Sequence, residues 1–107
     1  ALFGGDYLPD IDSFVALEVY PQMIHMETPV YPSIARATGT SGRVVIKALL
    51  DQQGKVIDAR VLVSSGSSIL DEAAVRAAYK NVFSPGVQNG IPVKCWVTYK
   101  VDFKVDR

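Results

Sequence analysis

The 107-residue chain carries eleven basic and eleven acidic residues, so its net charge is zero, which argues against the clustered basic surface that binding to phosphate backbones needs. One cysteine and one histidine exclude an internal disulfide and leave no nitrogen and sulfur set for a structural zinc, so no cofactor or metal is expected. The length fits one domain able to bury a core unaided, and no apolar run approaches the roughly 20 residues of a bilayer span.

The charge is unevenly placed. Residues 1–35 hold Asp6, Asp10, Asp12, Glu18 and Glu27 with no Lys or Arg, which leaves residues 36–107 an excess of five positive charges. Residues 1–27 read as an acidic, partly extended leader, in which "FVALEVYP" makes a short strand ended by Pro21. His25, between Met and Ile neighbours, reads as a packed or hydrogen-bonded imidazole.

In "TPVYPSIARATG", Pro32 suits the first turn of a helix and Gly39 its exit, so the pattern predicts a short helix over 32–38. "RVVIKALLDQQGKVIDARVLVSS" follows as two strands around a turn ending in Gly54. Val44, Ile46, Ala48 and Leu50 alternate along the first, and Ile57, Ala59, Val61 and Val63 along the second. The period then changes. Ser68 with Asp71 three residues on resembles a capping box, and Leu70, Ala73, Ala74, Ala77 and Ala78 form one apolar stripe of a helix. Because most of that stripe is alanine, the helix is expected to lie close on the hairpin.

Asn89-Gly90 favours positive φ and turns the chain into "PVKCWVTYKVDFKVDR". Val93, Cys95, Val97, Tyr99, Val101, Phe103 and Val105 share one face of this long strand; Lys94, Trp96, Thr98, Lys100, Asp102 and Lys104 share the other. Trp96 either packs with Val45, Leu49 and Leu62 or awaits a partner. The expected fold class is α+β, a three-stranded antiparallel sheet with two helices packed on one face. Lysines protect an edge from unwanted pairing, yet an open edge is also what a strand-adding partner requires.

Catalytic patterns are weak. "SSGSS" with His25 and nearby aspartates supplies the residue types of a serine hydrolase, with Ser64 to Ser68 as nucleophile candidates, but no nucleophile-elbow spacing. Serines before a helix ordinarily satisfy its free N–H groups. Asp71 and Glu72 suit the positive end of the helix dipole.

Taken in order, Tyr31-Pro32, Ala35, Gly39, Gly42, Val44, Asp51, Gly54, Val56, Ser64-Ser65-Gly66, Leu70-Asp71, Ala73-Ala74, Phe83, Pro85, Gly90, Pro92, Trp96 and Phe103 resemble the C-terminal domain of the TonB family of energy transducers. The resemblance covers residues 28–103 and marks 28–107 as a TonB C-terminal-like domain. It implies a periplasmic domain of an inner-membrane-anchored protein of a Gram-negative bacterium, not an enzyme, with an anchor helix and a proline-rich spacer ahead of residue 1. The implied partners are a TonB-dependent outer-membrane transporter and, through the anchor, the proton-driven ExbB–ExbD motor. The domain would pair its last strand with the transporter's TonB box and transmit force for uptake of siderophores, cobalamin or glycans. The residues carried over are Cys95, Trp96, Val97, Thr98, Tyr99, Lys100, Val101 and Asp102 on the strand, with Pro29, Tyr31 and Pro32 of the family's Gln-Pro-x-Tyr-Pro element. Thr28 stands where that element has glutamine. A TolA-like periplasmic interaction domain shares the architecture, and an exposed edge also admits a homodimer.

Overall fold

In the computed structural model, which describes residues 17–105, the chain forms β1 (Met23–His25), α1 (Ser33–Ala37), β2 (Gly42–Leu50), β3 (Val56–Val63), α2 (Ser68–Ala78), β4 (Val82–Phe83), β5 (Gly86–Gln88), β6 (Ile91–Val93) and β7 (Cys95–Phe103). The main sheet is antiparallel in the order β3-β2-β7; β1 pairs with β4 and β5 with β6.

Alternation along β2 sends Val44, Ile46, Ala48 and Leu50 to the helix side, where all four are fully buried. The predicted stripe of α2 meets them: Leu70, Ala73, Ala74, Ala77 and Ala78 are buried, and the helix lies over β2 and β3. Short alanine side chains let backbone and sheet approach, so the bulk between them comes from Leu70, Ile46 and Leu50. Full burial of each such side chain stabilises by about 1.5–3 kcal/mol. Ala35 of α1 joins the same cluster, so both helices pack on one face.

Helix starts differ by one residue from the sequence reading. Pro32 is the extended N-cap of α1, at ψ 137°, because its missing N–H costs nothing just outside the first turn. Ser67, rather than Ser68, caps α2 by accepting from the Leu70 N–H. Asp71 is no reciprocal member of a capping box. Its carboxylate reaches back to the Ser65 N–H at 3.0 Å and to the hydroxyls of Ser64 at 2.5 Å and Ser65 at 2.8 Å.

Three strand expectations need correction. Residues 14–16 of "FVALEVYP" lie outside the described residues, and its remainder makes only an isolated bridge, Val19 with Val87; the strand of this region is β1. Along β3 a register shift opposite Leu49 and Leu50 leaves Ile57 as the extra residue, so Val56 is buried and Ile57 is exposed. A second shift, between Val45 and Ile46, does the same to Leu62, since each bulge moves the following side chain to the other face. The final strand is also not continuous from Val93: the chain breaks at Lys94, with Val93 pairing to Gly86 in β6 and Cys95 opening β7.

The connections explain two glycine positions. Asn89 and Gly90, at φ 53° and 73°, form the two-residue loop of the β5–β6 hairpin. Gly54 sits at φ 85°, and a Cβ there would lie 1.7 Å from the Phe83 carbonyl oxygen; the Phe83 N–H donates to the Gly54 carbonyl at 2.9 Å.

Candidate functional site

The last strand pairs with β2 through nine consecutive residues, Gly42 opposite Phe103 to Leu50 opposite Cys95, with no shift of register. Among the described residues no strand pairs with its other edge. The phase of the ladder determines which groups point there. In an antiparallel pair a residue's N–H and C=O point to the same side. The Ala59 N–H donates to the Tyr79 hydroxyl at 3.2 Å, outward from β2, so Ala48, opposite Ala59, directs its own groups toward β7. At the hairpin end the Asp51 N–H donates to the Lys55 carbonyl at 2.8 Å, which puts Leu50 in the same phase as Ala48. Their partners Cys95 and Val97 therefore face β2, as do Tyr99 and Val101. It follows that Thr98, Lys100 and Asp102 present backbone N–H and C=O to the open edge.

Side chains divide by the same alternation. Cys95, Val101 and Phe103 are buried on the helix side, with Val97 and Tyr99 packed against the core. Thr98, Lys100 and Asp102 are exposed on the opposite face. Burial raises the Cys95 thiol pKa, only partly opposed by a backbone hydrogen bond from Gly86; any role of Cys95 at this edge is structural. Asp102 accepts from Arg43 Nε at 2.7 Å, and this bond to Arg43 holds its carboxyl below the usual range.

Trp96 lies opposite Leu49, which is buried, and its ring has Lys47 Nζ at 5.9 Å and Arg60 Cζ at 5.8 Å from the centroid. The small cluster expected on this face thus includes Leu49 and two cations, while bulged Leu62 is exposed.

The segment before α1 converges on the far end of β7. Tyr31 packs edge-on against Phe103, centroids 5.5 Å apart, and its hydroxyl donates to the Thr40 carbonyl. Pro29 and Tyr31 share a recess of about 330 Å³ with Asp102 and Phe103. Pro32 stands back from it, its carbonyl accepting the Arg36 N–H at 3.0 Å.

Sequence reading missed Asn81. This side chain, 3 % exposed, accepts the Glu27 N–H at 2.7 Å and donates to the Tyr99 hydroxyl at 3.0 Å, joining the leader to β7. The only signal in the sequence is one amide between Lys80 and Val82 where the helix ends. Burial raises the Tyr99 pKa, and the bond from Asn81 partly offsets it. Ser64, Ser65 and Ser67 of "SSGSS" are hydrogen-bonded at the start of α2, and His25 Nε2 lies 3.3 Å from Glu27 Oε2.

Fold and edge define a small α+β module whose β7 edge has no pairing strand among the described residues, and residues 27–105 match the family described as the Gram-negative bacterial TonB protein C-terminal. The chain belongs to the TonB C-terminal domain family. It is 38 % identical over 78 residues to the TonB protein of Vibrio cholerae, covering 73 % of this chain and 32 % of that protein. It is 33 % identical over 84 residues to a TonB protein of Pseudomonas aeruginosa, covering 78 % and 25 %. The chain thus spans a third or less of these relatives. The solution structure of the Pseudomonas aeruginosa TonB C-terminal domain superposes with a TM-score of 0.67 at 32 % identity, covering 81 % of this chain and 88 % of that one. No described helix is long and apolar enough to cross a membrane.

Proposed function

We propose that this domain works in the periplasm as the receiving end of an energy transducer, taking the TonB box of an outer-membrane transporter as a fourth strand along β7. The observation that carries the reading is the open edge itself: a nine-residue strand, fully registered on β2, with the backbone of Thr98, Lys100 and Asp102 directed outward. Strand addition draws affinity from main-chain hydrogen bonds and is largely blind to side chains. Five or six such bonds at a net of about 1 kcal/mol each, less the cost of ordering the peptide, correspond to a micromolar dissociation constant.

Modest affinity is compatible with pulling. Bonds lying across the direction of force load together in shear, and β7 is backed by the whole length of β2. Force would arrive from the ExbB–ExbD motor through an inner-membrane anchor and spacer outside residues 1–107. The family membership and the outward ladder support this reading over a TolA-like scaffold or a serine hydrolase. A second copy pairing β7 to β7 would occupy the same edge and compete with the transporter.

Amide exchange tests the proposal. Without peptide, the N–H groups of Thr98, Lys100 and Asp102 exchange faster than those of Val97, Tyr99 and Val101. A saturating TonB-box peptide slows the first set selectively. Equal protection of both sets in the free domain sinks the reading.

A further inference from the structure

The open edge of β7 is not chemically uniform along its length. At its Phe103 end the recess beside Tyr31 is flanked by Arg36 and Lys104, which also line a smaller adjoining recess of about 60 Å³. Arg36 is held in place, its Cζ lying 5.3 Å from the Tyr31 ring centroid. The ring is fixed in turn by its edge contact with Phe103 and its hydroxyl bond to Thr40. A guanidinium stacked on an aromatic face keeps its N–H edge available for a carboxylate, in a geometry a lysine cannot reproduce. The one carboxylate lining the recess, Asp102, is paired with Arg43 at 2.7 Å. The local balance therefore favours an anion.

We infer that Arg36 and Lys104 form a carboxylate-reading subsite at the Phe103 end of β7, which selects an added strand bearing an acidic side chain at the terminus laid against that end. The inference rests on strand addition and supplies what backbone pairing lacks. Main-chain bonds alone accept a peptide slid by two residues, whereas a terminal carboxylate seated between two cations fixes register and polarity together. Lys94, at the other end of the strand, has no aromatic platform described beside it and serves as the comparison.

The test uses the 107-residue chain and three end-blocked heptapeptides of alternating threonine and valine, titrated by NMR at low salt. One has glutamate at its first position, one at its last, and one has glutamine at both. One glutamate peptide, and not the other, binds about fivefold more tightly than the glutamine peptide. In the double variant Arg36→Gln, Lys104→Gln that advantage disappears while affinity for the glutamine peptide stays within about twofold; Lys94→Gln leaves the advantage intact. Equal gains for both glutamate peptides, a gain that survives the double variant, or loss of the gain in Lys94→Gln overturns the subsite alone. Failure of all three peptides to bind the unaltered chain overturns strand addition, and the subsite with it.

Discussion

Asn81 donates to the hydroxyl of Tyr99 at 3.0 Å while accepting the Glu27 N–H at 2.7 Å, so one buried amide fastens both the leader and β7 to the segment that follows α2. Replacing Asn81 by Leu strands a backbone N–H and leaves the phenol without its donor. The expected loss is about 2–3 kcal/mol in urea unfolding, against about 1 kcal/mol for Tyr99→Phe, which removes only one bond. A loss below that of Tyr99→Phe would show that water replaces the amide at no cost.

Proline at adjacent positions of β7 separates the two edges. The Thr98 N–H points outward, so Thr98→Pro retains the fold and abolishes binding of a TonB-box peptide by removing a donor and blocking the added strand. The Tyr99 N–H points to β2, so Tyr99→Pro breaks the central ladder and lowers stability by about 3 kcal/mol or more. Peptide affinity and thermal midpoint for both variants make the measurement. Two well-folded variants with unchanged affinity would remove strand addition as the mechanism.

Asp71 predicts a specific acid sensitivity. Burial pushes its carboxyl up, but the bonds from Ser64 and Ser65 outweigh this and leave it below the ordinary value. A depressed folded-state pKa contributes stability that is present above the unfolded value, about 3.9, and lost as pH falls through the folded one. Asp102 is depressed too and loses its share in the same window, so the test is a difference. Between pH 5 and 2, Asp71→Asn loses less stability than the unaltered chain. Parallel stability curves would contradict the assigned bonds.

Legibility followed periodicity. β2, β7 and α2 are long enough for their alternation or stripe to be read directly, and Ile46, Val101 and Ala74 are buried on the expected face. The pairing of β1 with β4 was not legible: a three-residue and a two-residue strand carry no period, and Met23 through His25 are exposed. Ile57 misled because a bulge is a property of the pair, invisible in one strand. For the candidate site, the alternation placed side chains by face but left open which backbone groups point outward; that depends on the Ala59–Tyr79 and Asp51–Lys55 bonds across the sheet. Convergence of Arg36 with Lys104, 68 residues apart by numbering, needed the folded chain.

The opposite border of the sheet has a consequence for assembly. Just before β3, Lys55 is bridged to Val82, and within the strand the Ala59 N–H is occupied by Tyr79, so this border of the sheet is partly capped, although among the described residues neither β3 nor β7 has a strand beyond it. A partly capped border offers fewer backbone groups to a second added strand. An endless ribbon of copies needs a receptive border on both sides of every subunit, and capping on the β3 side works against one. Capping on the far border thus lets β7 stay exposed with less tendency to seed filaments than a sheet bare on both sides.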